Sequence, residues 1–428
     1  MESMNSATVI PSEFHDTDVL VIGAGPAGSA TAAWAARAGL QVLLVDSAQF
    51  PRDKACGDGL TPRAIAEMNR LGMADWLADR PKNWGLRAAG FGRTWHLPWP
   101  GGEMPSNGSA AARTELDYAI LNVATDSGAR FLGGAKVTAV HRDSSGFVKS
   151  VEVLHNQTLR TITCRRLVVA DGARSTVGRL LGRTWHKDTV YGVAARAYAP
   201  SSRSHDPWIS SHLELRSEAG ELLSGYGWVF PLGNGHVNLG VGTLATDARP
   251  AELSLRRLIQ EYYRGQKEEW GLTGPPEGVK SALLPMGGAV SGVAGPNWVL
   301  VGDAAGCVNP LNGEGIDYGM ETGRLAADLM ATGQGAAGNE LTDLWVHELT
   351  TRYGPAFSGA RRLAGLLTQP DLLRRAGPIG MRSRSLMTVA LRLMGNLISE
   401  QDTDVVARLW RITGNGSVRL DQRPPFAA

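Results

Sequence analysis

Three glycines in the run Gly23-Ala-Gly25-Pro-Ala-Gly28 constrain this chain more than any other feature. They follow an apolar segment, Asp18-Val-Leu-Val-Ile22, and open an alanine-rich segment from Pro26 to Arg37, so the pattern reads strand, tight turn, helix. Glycine lets the backbone close on a pyrophosphate, and the free amides at the start of the helix face that anion. A second apolar strand, Gln41 to Asp46, ends in a carboxylate 21 residues after Gly25. An acid at that point can accept hydrogen bonds from ribose hydroxyls. Gly23, Gly25, Pro26, Ala27, Gly28 and Asp46 are therefore candidates for binding a dinucleotide. Position alone does not separate FAD from NAD.

Downstream, the pattern predicts a helix from Thr61 to Leu77, one or two strands between Leu86 and Pro100, and a helix from Thr114 to Thr125. Phe131 to Cys164 reads as a three-stranded meander turning at Asp143-Ser-Ser-Gly146, with a separate apolar strand at Leu167-Val-Val-Ala170. From Val190 to Leu284 strand-like runs dominate, notably Gly227–Phe230 and His236–Gly242, with one helix at Ala251–Tyr263. Trp298 to Asp303 is a further apolar strand, followed by a glycine-rich turn and a helix from Gly315 to Met330; after Gly338 the pattern is helical. The fold class is α/β. We expect a discontinuous nucleotide-binding domain (17–60, 101–183, 285–335), an antiparallel-sheet substrate domain (61–100, 184–284) and a helical C-terminal region (336–428).

Composition narrows the function. A chain of 428 residues with a net charge of +2 gives no support to a nucleic-acid partner. Cys56, Cys164 and Cys307 are an odd number of well-separated cysteines, which argues against a disulfide framework and for a reducing compartment. Met1 to Asp16 lacks a signal-peptide core, and the most apolar run, Leu386 to Ile398, is interrupted by Arg392, so we expect no signal peptide and no spanning helix. The sequence holds no H-E-x-x-H, C-x-x-C, G-x-S-x-G or Walker A motif, and we expect no metal.

Gly302-Asp303 ends a strand and precedes Asn309-Pro-Leu-Asn-Gly313-Glu-Gly315-Ile316 at the start of a helix. This places an acid for a polyol beside a helix N-terminus that favours a developing anion, as on a reduced isoalloxazine. Together with Arg113 and the segment Leu167-Val-Val-Ala-Asp171-Gly-Ala-Arg-Ser175, these residues resemble the fingerprints of FAD-dependent oxidoreductases of the aromatic-hydroxylase fold. Within that fold the chain is similar to the geranylgeranyl reductase family. The residues that carry this are Pro51-Arg-Asp-Lys-Ala-Cys56-Gly57-Asp-Gly59, Gly225-Tyr226-Gly-Trp228-Val-Phe-Pro231 and Gly306-Cys-Val-Asn-Pro310. The similarity is strongest to its menaquinone-reducing mycobacterial branch and extends over nearly the whole chain. Ala55 stands where relatives have proline.

The resemblance implies that Ala27, Asp46, Cys56, Gly57, Arg113, Val137, Asp303, Gly315 and Ile316 line FAD, with Asp171, Gly302 and Gly313 in the same motifs. It also implies reduction of an isoprenoid C=C bond in a polyprenyl lipid, menaquinone above all. An isolated alkene has no carbonyl to hold a carbanion, so a proton must lead or accompany hydride from the flavin. Cys56 and Tyr226 are the candidate acids; Tyr226 and Trp228 also read as pocket walls for an apolar chain. There is no second well-placed G-x-G-x-x-G unit between a strand and a helix, so we expect no separate nicotinamide domain, and electrons come from NAD(P)H visiting transiently or from another reductant.

From Thr351 to the end there are twelve arginines, no lysine and five acids. Arg361, Arg362, Arg374, Arg375, Arg382, Arg384 and Arg392 interleave with leucines, a pattern suited to lying on an anionic bilayer, the alternative being a solvated basic face on packed helices; a polyprenyl substrate favours the bilayer. We expect a peripheral protein at the cytoplasmic face of the membrane. The competing readings are a geranylgeranyl-lipid reductase, a flavin monooxygenase or halogenase on the same scaffold, and a noncatalytic redox sensor. Oligomeric state is not legible from the sequence.

Overall fold

The computed structural model describes residues 16–217, 219–251, 254–332 and 340–427. The N-terminal segment, Glu252 and Leu253 of the expected helix Ala251–Tyr263 and the expected boundary at 335/336 lie outside the described residues, and that helix runs Leu255–Gln266.

The first strand, Asp16–Ile22, is followed by the helix Pro26–Arg37 and the strand Val42–Asp46. Every residue of Val42–Asp46 is buried, as a strand covered on both faces must be. Five strands run parallel in the order Trp298–Leu300, Thr158–Val169, Asp16–Ile22, Val42–Asp46, Arg130–Gly133. This is the doubly wound arrangement that places ligands beyond the carboxyl ends of the strands.

The expected meander differs in detail. Arg130–Gly133 leaves it to pair in parallel with Val42–Asp46. Thr158–Val169 is one continuous strand that joins the two expected pieces. Its first half pairs antiparallel with Val148–His155, and its second half lies between the parallel strands of the core. The helix expected from Thr61 to Leu77 is two helices, Pro62–Arg70 and Ala74–Ala78. Gly72, at φ +88°, turns the chain between them in a conformation a helix cannot contain.

A second sheet of seven strands has the order 277–285, 191–200, 236–245, 225–231, 209–212, 85–90, 93–98. Its strands alternate in burial role with period two. On one face Ala195, Ala197, Val229, Val237, Leu239 and Val241 pack on Leu258, Ile259 and Tyr262 of the helix Leu255–Gln266. Each such large side chain contributes about 1.5–3 kcal/mol by leaving water. The opposite parity, Arg196 and Tyr198, Tyr226, Trp228 and Phe230, and Asn238 and Gly240, bears on the loop Asp53–Gly59 or on Asn312.

The C-terminal helices Glu340–Leu367, Pro370–Gly380, Arg384–Met394 and Val405–Arg419 complete the molecule. Trp345 donates its indole N–H to the Leu300 carbonyl (2.9 Å) and so fixes the first of them to the nucleotide-binding sheet. Met381, Met387, Leu391 and Leu397 pack on Ala88, Leu97, Trp99 and Ile209 of the second sheet. Not all of the expected basic stripe faces outward. Arg361 and Arg362 bind Asp421 at 3.2 and 2.8 Å, and Arg392 binds Asp404 at 2.7 Å, because neighbouring helices need joints. Arg374, Arg375, Arg382 and Arg384 are exposed, alongside Leu372, Ile379 and Leu386. No helix among the described residues is long and apolar enough to cross a membrane.

Candidate functional site

At the nucleotide end the backbone is packed as tightly as chemistry allows. A Cβ on Gly28 would lie 1.8 Å from the Gly23 carbonyl oxygen, and one on Gly23 would lie 2.4 Å from the Ala170 oxygen. Gly23 also sits at φ +100°, which only glycine adopts freely. The helix behind it begins at Pro26 and has no side-chain cap, so its first amides are available to an anion. Asp46 accepts from the Ala24 and Ala48 amides at 2.7 and 2.8 Å, so the acid also holds the loop in shape.

A Cβ on Gly302, which sits at φ +57°, would lie 2.9 Å from the Ala27 β-carbon, and one on Gly323 would lie 2.5 Å from the Ala27 carbonyl oxygen. These small residues bring the helix Ile316–Ala331 against the helix Pro26–Arg37 and set Asp303 near the glycine loop. The second helix also lacks a side-chain cap; its N-cap is Gly315, where a Cβ would be 3.1 Å from an Asp303 carboxylate oxygen. Ile316 begins that helix and Gly313, at φ +76°, turns the chain into it. Lys54 reaches Asp303 at 3.4 Å. Two uncapped helix starts, a cradle with no room for a Cβ and an acid beside the second helix suit an FAD dinucleotide.

Three expected residues do more structural work than the motifs imply. Arg113 makes two bonds to Asp117, at 2.6 and 2.8 Å, deep in the core. Asp171 accepts from the Ser175 hydroxyl (2.6 Å) and the Val177 amide (2.8 Å), which ties down the helix Thr176–Leu181. Val137 puts its side chain in the hydrophobic core, leaving only backbone for a ligand. Arg52 was not among the candidates, yet its guanidinium is 3.4 Å from where a Gly25 Cβ would sit, and it shares Asp117 with Arg113 at 2.8 Å.

The other end is assembled from side chains. Trp228 donates to the Asn238 side-chain oxygen (2.9 Å), and Asn238 donates to the Cys56 carbonyl and to Asp58, each at 2.8 Å. Tyr198 donates to the same Asp58 oxygen at 2.7 Å, and the Asp58 amide donates to the Cys56 sulfur at 3.3 Å. Arg196 grips the loop from below through Asp53 and the Lys54 carbonyl. Gly57 and Gly59 lie under the rings of Trp228 and Phe230, and Gly240 leaves room for Trp228 behind. Tyr226, Trp228 and Phe230 thus form an aromatic wall, with centroids 5.9 and 6.2 Å apart.

Burial changes the acidity of this end. The Cys56 thiol is pushed up by desolvation, against the opposing pull of Arg113. Burial likewise raises the Tyr226 phenol, whose proton is already given to the Asn312 carbonyl at 2.5 Å. Asp58, fully buried at φ +63°, is pushed up to about 6 by desolvation despite its bonds from Tyr198 and Asn238. Both expected acids are therefore poorer donors in place than in water. The structure also brings in Asp58, Tyr198 and Asn238, which sequence reasoning missed. Asp58 lay inside the quoted Cys56–Gly59 motif, and strand parity with Arg196 and Trp228 would have pointed to Tyr198 and Asn238.

Residues 16–353 match the family model described as FAD binding domain. A menaquinone reductase of Mycolicibacterium smegmatis is 60% identical over 410 residues, covering 96% of this chain and 99% of the relative. This chain belongs to the menaquinone reductase family of FAD-dependent oxidoreductases. A menaquinone reductase of Mycobacterium tuberculosis is 59% identical over the same length, with 96% and 98% coverage. In fold, the family member resembles a geranylgeranyl bacteriochlorophyll reductase-like protein of Thermoplasma acidophilum, with TM-score 0.74, 20% identity, and coverage of 92% and 98%. The aromatic-hydroxylase-type architecture and the FAD-dependent oxidoreductase class that the motifs implied are thereby established.

Proposed function

We propose that the protein saturates one isoprene C=C bond in the polyprenyl tail of menaquinone. The observation that carries this reading is the 60% identity to a menaquinone reductase along the whole relative. The same observation favours a reductase over a monooxygenase, halogenase or sensor. Bound FAD would supply hydride; Gly23 to Gly28 and Asp46 would hold its nucleotide end, and Asp303, Gly313, Gly315 and Ile316 its ring end. Cys56 and Gly57 would lie against the ring, and the Tyr226–Trp228–Phe230 wall would hold the tail. Half-buried Leu86, Phe91, Trp95, Met104 and Leu213 continue that apolar surface from Phe230 toward the C-terminal helices. A two-electron donor of the NAD(P)H class would recharge the flavin by transient contact.

The reading includes an anionic membrane surface as the place where the tail is met. Leu372, Ile379 and Leu386 are exposed at seven-residue intervals among Arg374, Arg375, Arg382 and Arg384. Apolar side chains that enter the interface beside arginines that meet headgroups suit such a surface. The test is mass spectrometry of quinones from cells lacking the gene, complemented with the wild type or an empty vector. Loss of the form with two extra hydrogens, restored only by the wild type, is expected; an unchanged quinone profile would refute the substrate.

A further inference from the structure

Glu314 lies between Gly313 and Gly315, directly before the helix Ile316–Ala331. The Thr61 hydroxyl donates to one of its carboxyl oxygens, and the Asn312 side-chain amide approaches the other at 3.5 Å. Its own amide donates to the Asn312 side-chain oxygen (2.9 Å) and its carbonyl accepts from the Asn309 amide (2.8 Å), so the loop fixes its direction. Tyr226 donates to the Asn312 carbonyl at 2.5 Å, two residues before Glu314, so the loop that carries Glu314 is tied to the aromatic wall.

Counting charges in this corner assigns its proton. Asp317 and Glu321 share the Arg63 guanidinium at 2.9 and 2.6 Å, and Glu321 also has Arg352 at 3.2 Å. Among the described residues Glu314 enters no ion pair, and its hydrogen-bond partners are neutral. Three carboxyls crowd around cations already engaged by two of them. Desolvation, with the Asp317 charge behind it, pushes Glu314 well above the usual carboxylate range, against the weaker pull of Thr61 and Arg63. A buried carboxylic acid that keeps its proton at neutral pH has one to donate, and such pairs of carboxyls with divergent environments mark acid–base assignments.

We propose that Glu314 is the general acid that protonates the isoprene double bond. This rests on the reading of the protein as a polyprenyl-tail reductase and supplies the acid that reading lacks. In the balanced step the Glu314 O–H bond breaks and a C–H bond forms at one alkene carbon. The second C–H bond comes from hydride of the reduced flavin, which an external two-electron donor of the nicotinamide class restores. The Glu314 carboxylate regains its proton from water through the Thr61 hydroxyl.

The test compares the full FAD-bound chain with Glu314→Gln, which keeps the acceptor for Thr61, and with Glu314→Asp. Infrared spectra at neutral pH read the proton directly. The wild type should show a carboxylic C=O band that moves in heavy water, and Glu314→Gln should lack it. Single-turnover saturation of menaquinone in phosphatidylglycerol vesicles should fall about 10²–10⁴-fold in Glu314→Gln, the usual worth of a general acid. Glu314→Asp should recover part of that loss, while flavin content and chemical reduction of the flavin stay unchanged in both. An undiminished band or an undiminished saturation rate in Glu314→Gln would overturn the assignment. A wild type that saturates no polyprenyl lipid would instead overturn the substrate reading, and the infrared band would still decide whether Glu314 holds the proton.

Discussion

At the Gly23–Gly28 loop the site is made by backbone from which side chains are excluded, whereas at the Cys56–Gly59 loop it is made by side chains that converge from distant strands. The first needs one contiguous motif, because a turn between strand and helix is a local object. The second needs Tyr198, Trp228 and Asn238 to arrive on one sheet face beneath Asp58, across sequence separations of 140 and 180 residues. The lesson is that a cofactor's constant part can be bound by chain geometry, while the reacting part requires polar groups whose protonation depends on three-dimensional burial.

The largest expected effect breaks the backbone end. Gly28→Ala forces a Cβ onto the Gly23 carbonyl at 1.8 Å, and no rotamer relieves it. The flavin-to-protein absorbance ratio should collapse, with a loss of about 3 kcal/mol in unfolding free energy. A variant that retains its flavin would show the cradle to be less rigid than its packing indicates. Next, Asn238→Ala leaves the Trp228 N–H, the Cys56 carbonyl and an Asp58 oxygen short of partners. It should cost about 2–3 kcal/mol in chemical denaturation while flavin retention persists, since the glycine cradle is untouched. Equal flavin loss in both variants would erase the contrast between the two ends.

The Asp58 carboxyl sharpens the comparison through pH. Its folded value of about 6 lies above its ordinary 3.8, so its contribution to stability is full below pH about 4 and is lost as pH rises through about 6. Two units correspond to at most about 3 kcal/mol, reduced by relaxation of the site. Asp58→Asn, which tolerates the same left-handed backbone, should flatten that segment of the melting-temperature profile. Persistence of the slope would assign it to another group. Tyr226→Phe removes one hydrogen bond to Asn312 and should cost about 1 kcal/mol in a thermal melt, with tail saturation retained. Abolished saturation would return the phenol to the role of acid.

The remaining test concerns the surface. Arg382→Glu with Arg384→Glu should weaken sedimentation with anionic vesicles by about 1 kcal/mol per lost arginine and leave neutral vesicles unaffected. Unaltered binding to the anionic vesicles would remove this face from the membrane reading.

Much of this was legible in order of locality. The glycine loop, the helix Pro26–Arg37 and the acid at Asp46 follow from spacing, and the structure has that helix between the same residues. The break at Gly72 was hidden because a single glycine is tolerated within a helical pattern until tertiary packing chooses the left-handed turn. The Thr158–Val169 strand was split in two because its half-exposed first part and buried second part have different polarity patterns. Glu314 stood in a quoted motif without a role, since nothing in the sequence says that Arg63 is already engaged by Asp317 and Glu321.

In the proposed function both ends serve reduction of an isoprene bond in a quinone tail. It is tested most directly with the purified, FAD-bound protein, chemically reduced without oxygen and mixed with menaquinone in phosphatidylglycerol vesicles. Flavin reoxidation should be matched one for one by menaquinone carrying two more hydrogens in its tail. Flavin that stays reduced beside unchanged menaquinone, or a product that gains oxygen only on admission of air, would contradict it.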